Sequence, residues 1–254
     1  MYPVLIIQKE HTDCKSPDAL MRHLRDNGIS ISGSSQKQQL INTGYFHGYK
    51  GYRFFVSSSN RLPFTSYNEI NATIQYDTKL KSLLYGKMMF IETALKNIAL
   101  NTIMSEIDSS SIYDMYDKAI SSYKNAPAGT REDIKKKYQN NKLNLQGSIQ
   151  NAIAHNDVVY DTRFKKMDPS RPMKQCLILE MGMPYINFKT IGDYIILICY
   201  YLKLLKVSKT EIKSFIREFE KITREYESSV NPNVSAISIH PDLFSRLNIL
   251  KNSI

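Results

Sequence analysis

The sequence predicts an all-α fold, on three observations. Apolar residues recur at three- and four-residue steps over long windows, and Leu80, Leu84, Met88, Ile91, Leu95 and Ile98 form the clearest stripe. Helix start and stop signals punctuate the chain. Segments that alternate like strands are few, with Tyr52 to Ser57 as the one short candidate. A helical bundle with additional N- and C-terminal helices accounts for all three.

In order along the chain, Ser16-Pro17 is a cap followed by a first-turn proline, and Asn27-Gly28 is a stop. A short helix lies between them, with Leu20 and Leu24 inward. A second short helix passes through Gln39 and Leu40. The Gly- and Tyr-rich stretch Thr43 to Val56 follows, with aromatic and basic residues interleaved. One reading has its rings stacking on bases while its cations meet phosphates. The other has an irregular connector with half-buried tyrosines.

Ser66 and Glu69 have capping-box spacing and open the long helix that carries the apolar stripe. A second stripe on that helix holds Asp77, Lys81, Tyr85, Glu92 and Lys96. Asp77 with Lys81, and Glu92 with Lys96, are four apart and suited to ion pairing. The stripe is either an exposed salt-bridged face or the wall of a cleft. A helix from Ser109 comes next, then a break at Pro127 and Gly129 and a basic run, Lys135, Lys136 and Lys137. Such a run is a solvated helix face or a track for an RNA backbone.

A helix ending near His155 leads into a two-proline loop. Further helices are predicted from about Lys174 to Met181, from Thr190 to Lys206, and after the Ser208/Glu211 box. The last of these lines Ile212, Phe215, Phe219, Ile222 and Tyr226 along one face. The expected organisation is an N-terminal helical extension over 1–65, a helical core over 66–227 and a peripheral tail over 228–254.

Bulk properties narrow the function. The 254 residues carry a formal net charge of +10, which favours polyanions; a merely basic soluble protein is the plainer alternative. Cys14, Cys176 and Cys199 have no paired spacing, which argues against a disulfide framework or zinc site and for a reducing compartment. The most apolar run, Tyr194 to Leu202, is too short to span a bilayer. The N-terminal stretch lacks signal-peptide character. A cytoplasmic protein with no membrane partner is expected. No HExxH, phosphate loop or G-x-S-x-G pattern is present, so no metal or cofactor is expected.

The chemistry centres on "QNAIAHNDVVYDTRF", Gln150 to Phe164. Asn151 and His155 are four apart on one helix face, and Gln150 lies about 140° round from His155. Asp157 and Tyr160 follow closely. Cleavage of RNA through its own 2′-hydroxyl needs a group that moves a proton near neutral pH, and donors that steady charge on the phosphate. Histidine and amide side chains supply these without a metal. From spacing alone, a lone histidine at a helix end is more often a structural residue.

Three blocks in order resemble the Abi-like abortive-infection family, of the AbiD and AbiF types. "LINTGYFHGYKGYRFF" resembles its tyrosine-rich stretch. "YDTKLKSLLYGKMMFIETALKN" resembles its "FD-x-x-LR…IE-x-x-LR" helix, with Lys81 and Lys96 where arginine is usual. "QNAIAHNDVVYDTRF" resembles its "RN-x-x-AH-x-x-R" segment. The resemblance covers about Ser16 to Phe219. The family is similar to the HEPN superfamily, helical bundles whose R-x(4–6)-H motif marks metal-independent RNases that commonly dimerise.

The resemblance implies that His155 is the catalytic histidine and Asn151 the polar residue after the motif arginine. Glu92 and Lys96 would support them, and Lys81, Lys135, Lys136, Lys137, Lys142 and Arg163 would meet RNA. It also implies a homodimer, and in the family a small noncoding RNA or a protein can act as antitoxin. The motif arginine falls on Gln150, which cannot make a bidentate, charge-assisted pair with phosphate. Either Arg163, Lys96 or Lys142 substitutes, or the enzyme is slow, or the chain is a catalytically inactive RNA-binding or ribonucleoprotein scaffold.

Overall fold

The computed structural model describes residues 16–106, 153, 157–162 and 170–254. Among these residues the fold is all-α, and extended pairing is limited to two isolated bridges. The helices are α1 (Pro17–Asp26), α2 (Gly33–Thr43), a π-helical turn (Tyr45–Lys50), α3 (Tyr67–Glu106), α4 (Arg171–Met181), α5 (Ile191–Leu204), α6 (Lys209–Ser229), α7 (Pro232–Ser238) and α8 (Leu243–Ser253). Two compact units divide the chain, one holding residues up to 75 with 226–238, the other 76–225 with 239–254.

In the first unit the predicted caps are in place. Ser16 Oγ accepts the Ala19 N–H at 3.3 Å, and Gly28 stands at φ 80° beyond the end of α1. Leu24 is fully buried, Met21 is buried beside it, and Leu20 is only half-buried. α1 packs on α2, and α2 on the π-helical turn.

The short strand candidate Tyr52 to Ser57 does not form a strand: only one bridge, Phe54 to Arg61, forms there. Val56 takes φ 63°, and a turn from Ser57 to Asn60 reverses the chain, so the ladder stops after one rung.

The capping box at the start of α3 forms in both directions. Glu69 N–H donates to Ser66 Oγ at 3.4 Å, and Ser66 N–H donates to Glu69 Oε2 at 3.1 Å. The Glu69 carboxylate does more than cap. It also accepts the Thr65 N–H at 2.7 Å, the Asn231 N–H at 3.0 Å and the Asn231 side-chain amide at 2.6 Å. Burial works against this carboxylate, yet the donors from Thr65, Asn231 and Ser66 outweigh it and hold its pKa below the ordinary 4.5. Thr73 Oγ1 donates to Tyr226 at 3.3 Å, which ties the end of α6 into this unit.

In the second unit the α3 stripe is buried at Leu80, Leu84, Met88 and Ile91. It ends earlier than its periodicity predicts: Leu95 is half-buried and Ile98 is 51% exposed. α5 is apolar nearly all round and is buried from Ile191 to Cys199, as such a helix must be. Burial pushes the Cys199 thiol pKa up, which keeps it an inert core residue. α4 packs against α5 and α8.

α4 begins at Arg171, three residues earlier than expected, because Pro172 is preset for a first helical turn. It stops at Gly182 in the left-handed conformation, φ 62°. Ile212, Phe215, Phe219 and Ile222 of α6 are buried here, and Tyr226 in the first unit, as predicted. The Ser208 cap accepts the Glu211 N–H, while the Glu211 carboxylate pairs with Lys87 of α3.

α7 and α8 carry the segment beyond Ser229, with Val234 buried in the first unit and Leu243, Leu247 and Leu250 in the second. One charged pair crosses the interior of the second unit. Arg246 of α8 and Asp193 of α5 form a salt bridge with side-chain exposures of 3% and 0%. Arg246 also donates to the Tyr185 carbonyl at 3.1 Å and lies over the Tyr185 ring.

Candidate functional site

The site predicted around His155 divides between described and undescribed residues. His155, Gln150, Asn151, Lys135, Lys136, Lys137, Lys142 and Arg163 lie outside the described residues, as do the helix from Ser109 and Cys14. Ile153, the segment from Asp157 to Thr162, and the α3 residues Lys81, Glu92 and Lys96 lie within them.

Val159 and Tyr160, four and five residues after His155, are held by α3. Asp77 Oδ1 accepts two backbone donors at once, the N–H of Val159 and the N–H of Tyr160, each at 2.8 Å. Its other oxygen, Oδ2, is 2.9 Å from Lys81 Nζ. Asp77 is therefore not on an exposed salt-bridged face. Its side chain is 0% exposed, and that of Lys81 is 11% exposed.

A carboxylate taken from water needs donors to replace its hydration, and two N–H groups plus an ammonium provide them. The chain at Val159 and Tyr160 is buried with it. The Tyr160 ring meets Tyr76 edge-on at 6.3 Å, and Thr162, at φ 57°, donates from Oγ1 to the Lys189 carbonyl at 3.2 Å. Asp157, two residues before this anchor, is exposed.

Lys81 and Tyr160, two of the predicted residues, thus meet at the Asp77 anchor. Glu92 and Lys96 form their own ion pair, with Lys96 70% exposed and Glu92 30%. At 1.5 Å per residue, Glu92 is about 22 Å further along α3 than Asp77.

The residue that spacing alone did not identify is Asp77. Its i,i+4 partner was legible, but its bonds to residues 82 and 83 positions away were not. The signal available was the "YDTKLK" block, in which Asp77 and Lys81 occupy the acidic and basic positions.

Among the described residues no group of three or more His, Cys, Asp or Glu side chains is arranged to hold a metal ion, and no helix is long and apolar enough to cross a membrane. No curated protein and no solved structure matches the chain. A family model described as Abi-like protein matches residues 38–173, which takes in the tyrosine-rich stretch, the Asp77 helix and the His155 segment. That match spans more than half of the 254 residues, and the chain belongs to the Abi-like protein family.

Proposed function

We propose that this chain is an abortive-infection protein of the HEPN type, related to AbiD and AbiF, that cleaves RNA without a metal ion. The family supports a defence role. The observation that carries the RNase reading is the Asp77 anchor. A buried carboxylate fixes the backbone four residues beyond His155, and a proton-transfer group needs that kind of fixed support.

In the proposed reaction the 2′-hydroxyl of RNA attacks the adjacent phosphorus and the 5′-oxygen leaves. The products are a 2′,3′-cyclic phosphate and a 5′-hydroxyl. His155 moves the proton as general acid/base, a role for which the imidazole side chain is suited in both directions near neutral pH. Gln150 and Asn151 hold phosphate or ribose oxygens, and lysines nearby supply charge. The working form is a cytoplasmic homodimer, with RNA as substrate and a small RNA as a candidate antitoxin.

The second reading is an inactive RNA-binding or ribonucleoprotein scaffold, favoured by Gln150 at the motif arginine position. Losing one charged stabiliser of a transition state costs about 10²–10³ in rate. The test is cleavage of an end-labelled mixed-sequence RNA in EDTA, with wild type beside His155→Ala. Cleavage by wild type alone supports the RNase. Cleavage by neither supports the scaffold, and a gain in Gln150→Arg then identifies the missing charge as the reason.

A further inference from the structure

The π-helical turn after α2 presents a ring and cations that the His155 chemistry does not use. Gly44, at φ 73°, lets the chain leave α2 directly into the turn Tyr45–Lys50. Gly48 is required as well: a Cβ there would lie 3.0 Å from Thr43 Oγ1, which is itself bonded to the Gln39 carbonyl and to Tyr67. The three tyrosines hold the turn from inside. Tyr49 and Tyr52 are buried, and the Tyr45 hydroxyl is 2.9 Å from His23 Nε2. For these rings the packed-connector reading is correct.

Phe46 differs. It is 58% exposed, on a turn whose geometry is otherwise fixed. Lys50 Nζ lies 4.8 Å from its ring centroid, and the Arg53 guanidinium lies 4.6 Å from that of Phe54. The sequence from Asn27 to Asn68 contains no Asp or Glu at all. Neither Lys50 nor Arg53 forms an ion pair among the described residues. A π-helical turn is rare and tends to occur at functional sites.

We propose that Phe46, Lys50 and Arg53 form a binding platform for single-stranded nucleic acid. An unpaired base stacks on Phe46, and the adjoining phosphates meet Lys50 and Arg53. Charge complementarity selects this occupant: cations that form no ion pair among the described residues, together with an exposed ring, match a strand with alternating π-faces and anions. An acidic protein segment would satisfy the cations but leave the ring without a partner of its kind. A duplex would hide its base faces.

The test measures fluorescence anisotropy of labelled oligonucleotides of about twelve nucleotides. The full chain carries His155→Ala throughout, so the strand survives whatever the cleavage assay shows. RNA and DNA strands of the same sequence distinguish the two sources, and a duplex serves as comparison. Phe46→Ala is expected to weaken single-strand binding about five- to a hundred-fold, while Phe46→Tyr retains it. Lys50→Gln with Arg53→Gln is expected to flatten the dependence of log affinity on log salt by about 1.4. Unchanged affinity in Phe46→Ala overturns the proposal. So does a duplex bound as tightly as the single strands, and so does failure of the chain to bind either strand at low salt. Loss of single-strand binding in Phe46→Ala with cleavage retained, or the reverse, separates this platform from the RNase reading; absence of binding to either strand counts against both.

Discussion

Replacing Asp77 with alanine removes the acceptor shared by the Val159 and Tyr160 N–H groups and the partner of Lys81. Both backbone donors sit on buried residues. Each buried donor left without an acceptor costs about 1–3 kcal/mol. Lys81, at 11% exposure, is close enough to solvent for its ammonium to recover water, so its share is the smallest. The two donors together come to about 2–6 kcal/mol, which brackets the roughly 3–5 kcal/mol for breaking a buried charged pair, against a usual total of about 5–15 kcal/mol.

Asp77→Asn keeps an oxygen for the two N–H groups but loses the charge and turns an NH2 donor toward Lys81, so its cost is about 1–3 kcal/mol, below that of alanine. Urea unfolding measures both, with Asp157→Ala as an exposed control expected within about 0.5 kcal/mol of wild type. Amide exchange at Val159 and Tyr160 rises in Asp77→Ala before the rest of the fold responds. If Asp77→Ala lies within about 1 kcal/mol of the control, or if Asp77→Asn is the more damaging change, the anchor argument is wrong.

Three further predictions concern other parts of the molecule. The folded-state pKa of Glu69 is depressed below 4.5, so its contribution to stability is present above that pH and is lost as pH falls through the folded value. Urea midpoints of wild type and Glu69→Gln should therefore differ most near neutral pH and converge in acid. Asp193→Ala leaves Arg246 buried beside an absent partner and should cost about 3–5 kcal/mol, while replacing both residues by leucine recovers most of the loss, read as Tm. Gly182→Ala should lower Tm, by an amount equivalent to about 1–2 kcal/mol, because it forces a side chain into the left-handed region with its Cβ 3.1 Å from Ser253 Oγ.

Features set by neighbours in sequence were legible, and those set by distant chain were not. Ser16-Pro17, Ser66/Glu69 and the buried face from Ile212 to Tyr226 were readable because caps and 3.6-residue periodicity are local physics. The burial of Asp77 was not, since an i,i+4 pair looks the same on an exposed face as on one that meets a chain segment 82 residues away. The same limit applied to Arg246, whose partner Asp193 lies 53 residues earlier on another helix. Composition marked the Thr43 to Val56 stretch as aromatic and basic, but only the fold separates the packed rings of Tyr49 and Tyr52 from the exposed ring of Phe46. Of the predicted catalytic group, the structure describes the support at Asp77, Val159 and Tyr160 and not His155, Gln150 or Asn151.

The clasp between Glu69 and Asn231 has a consequence for synthesis on the ribosome. The two residues are separated by 162 positions, and Tyr226, which bonds Thr73, is almost as distant. At about 5–20 residues per second, Asn231 is made roughly 8–30 s after Glu69. During that interval the first unit lacks the donors and the ring that complete it. Nascent chains stalled before Asn231 should therefore expose the start of α3 to protease, and release of the finished chain should close it.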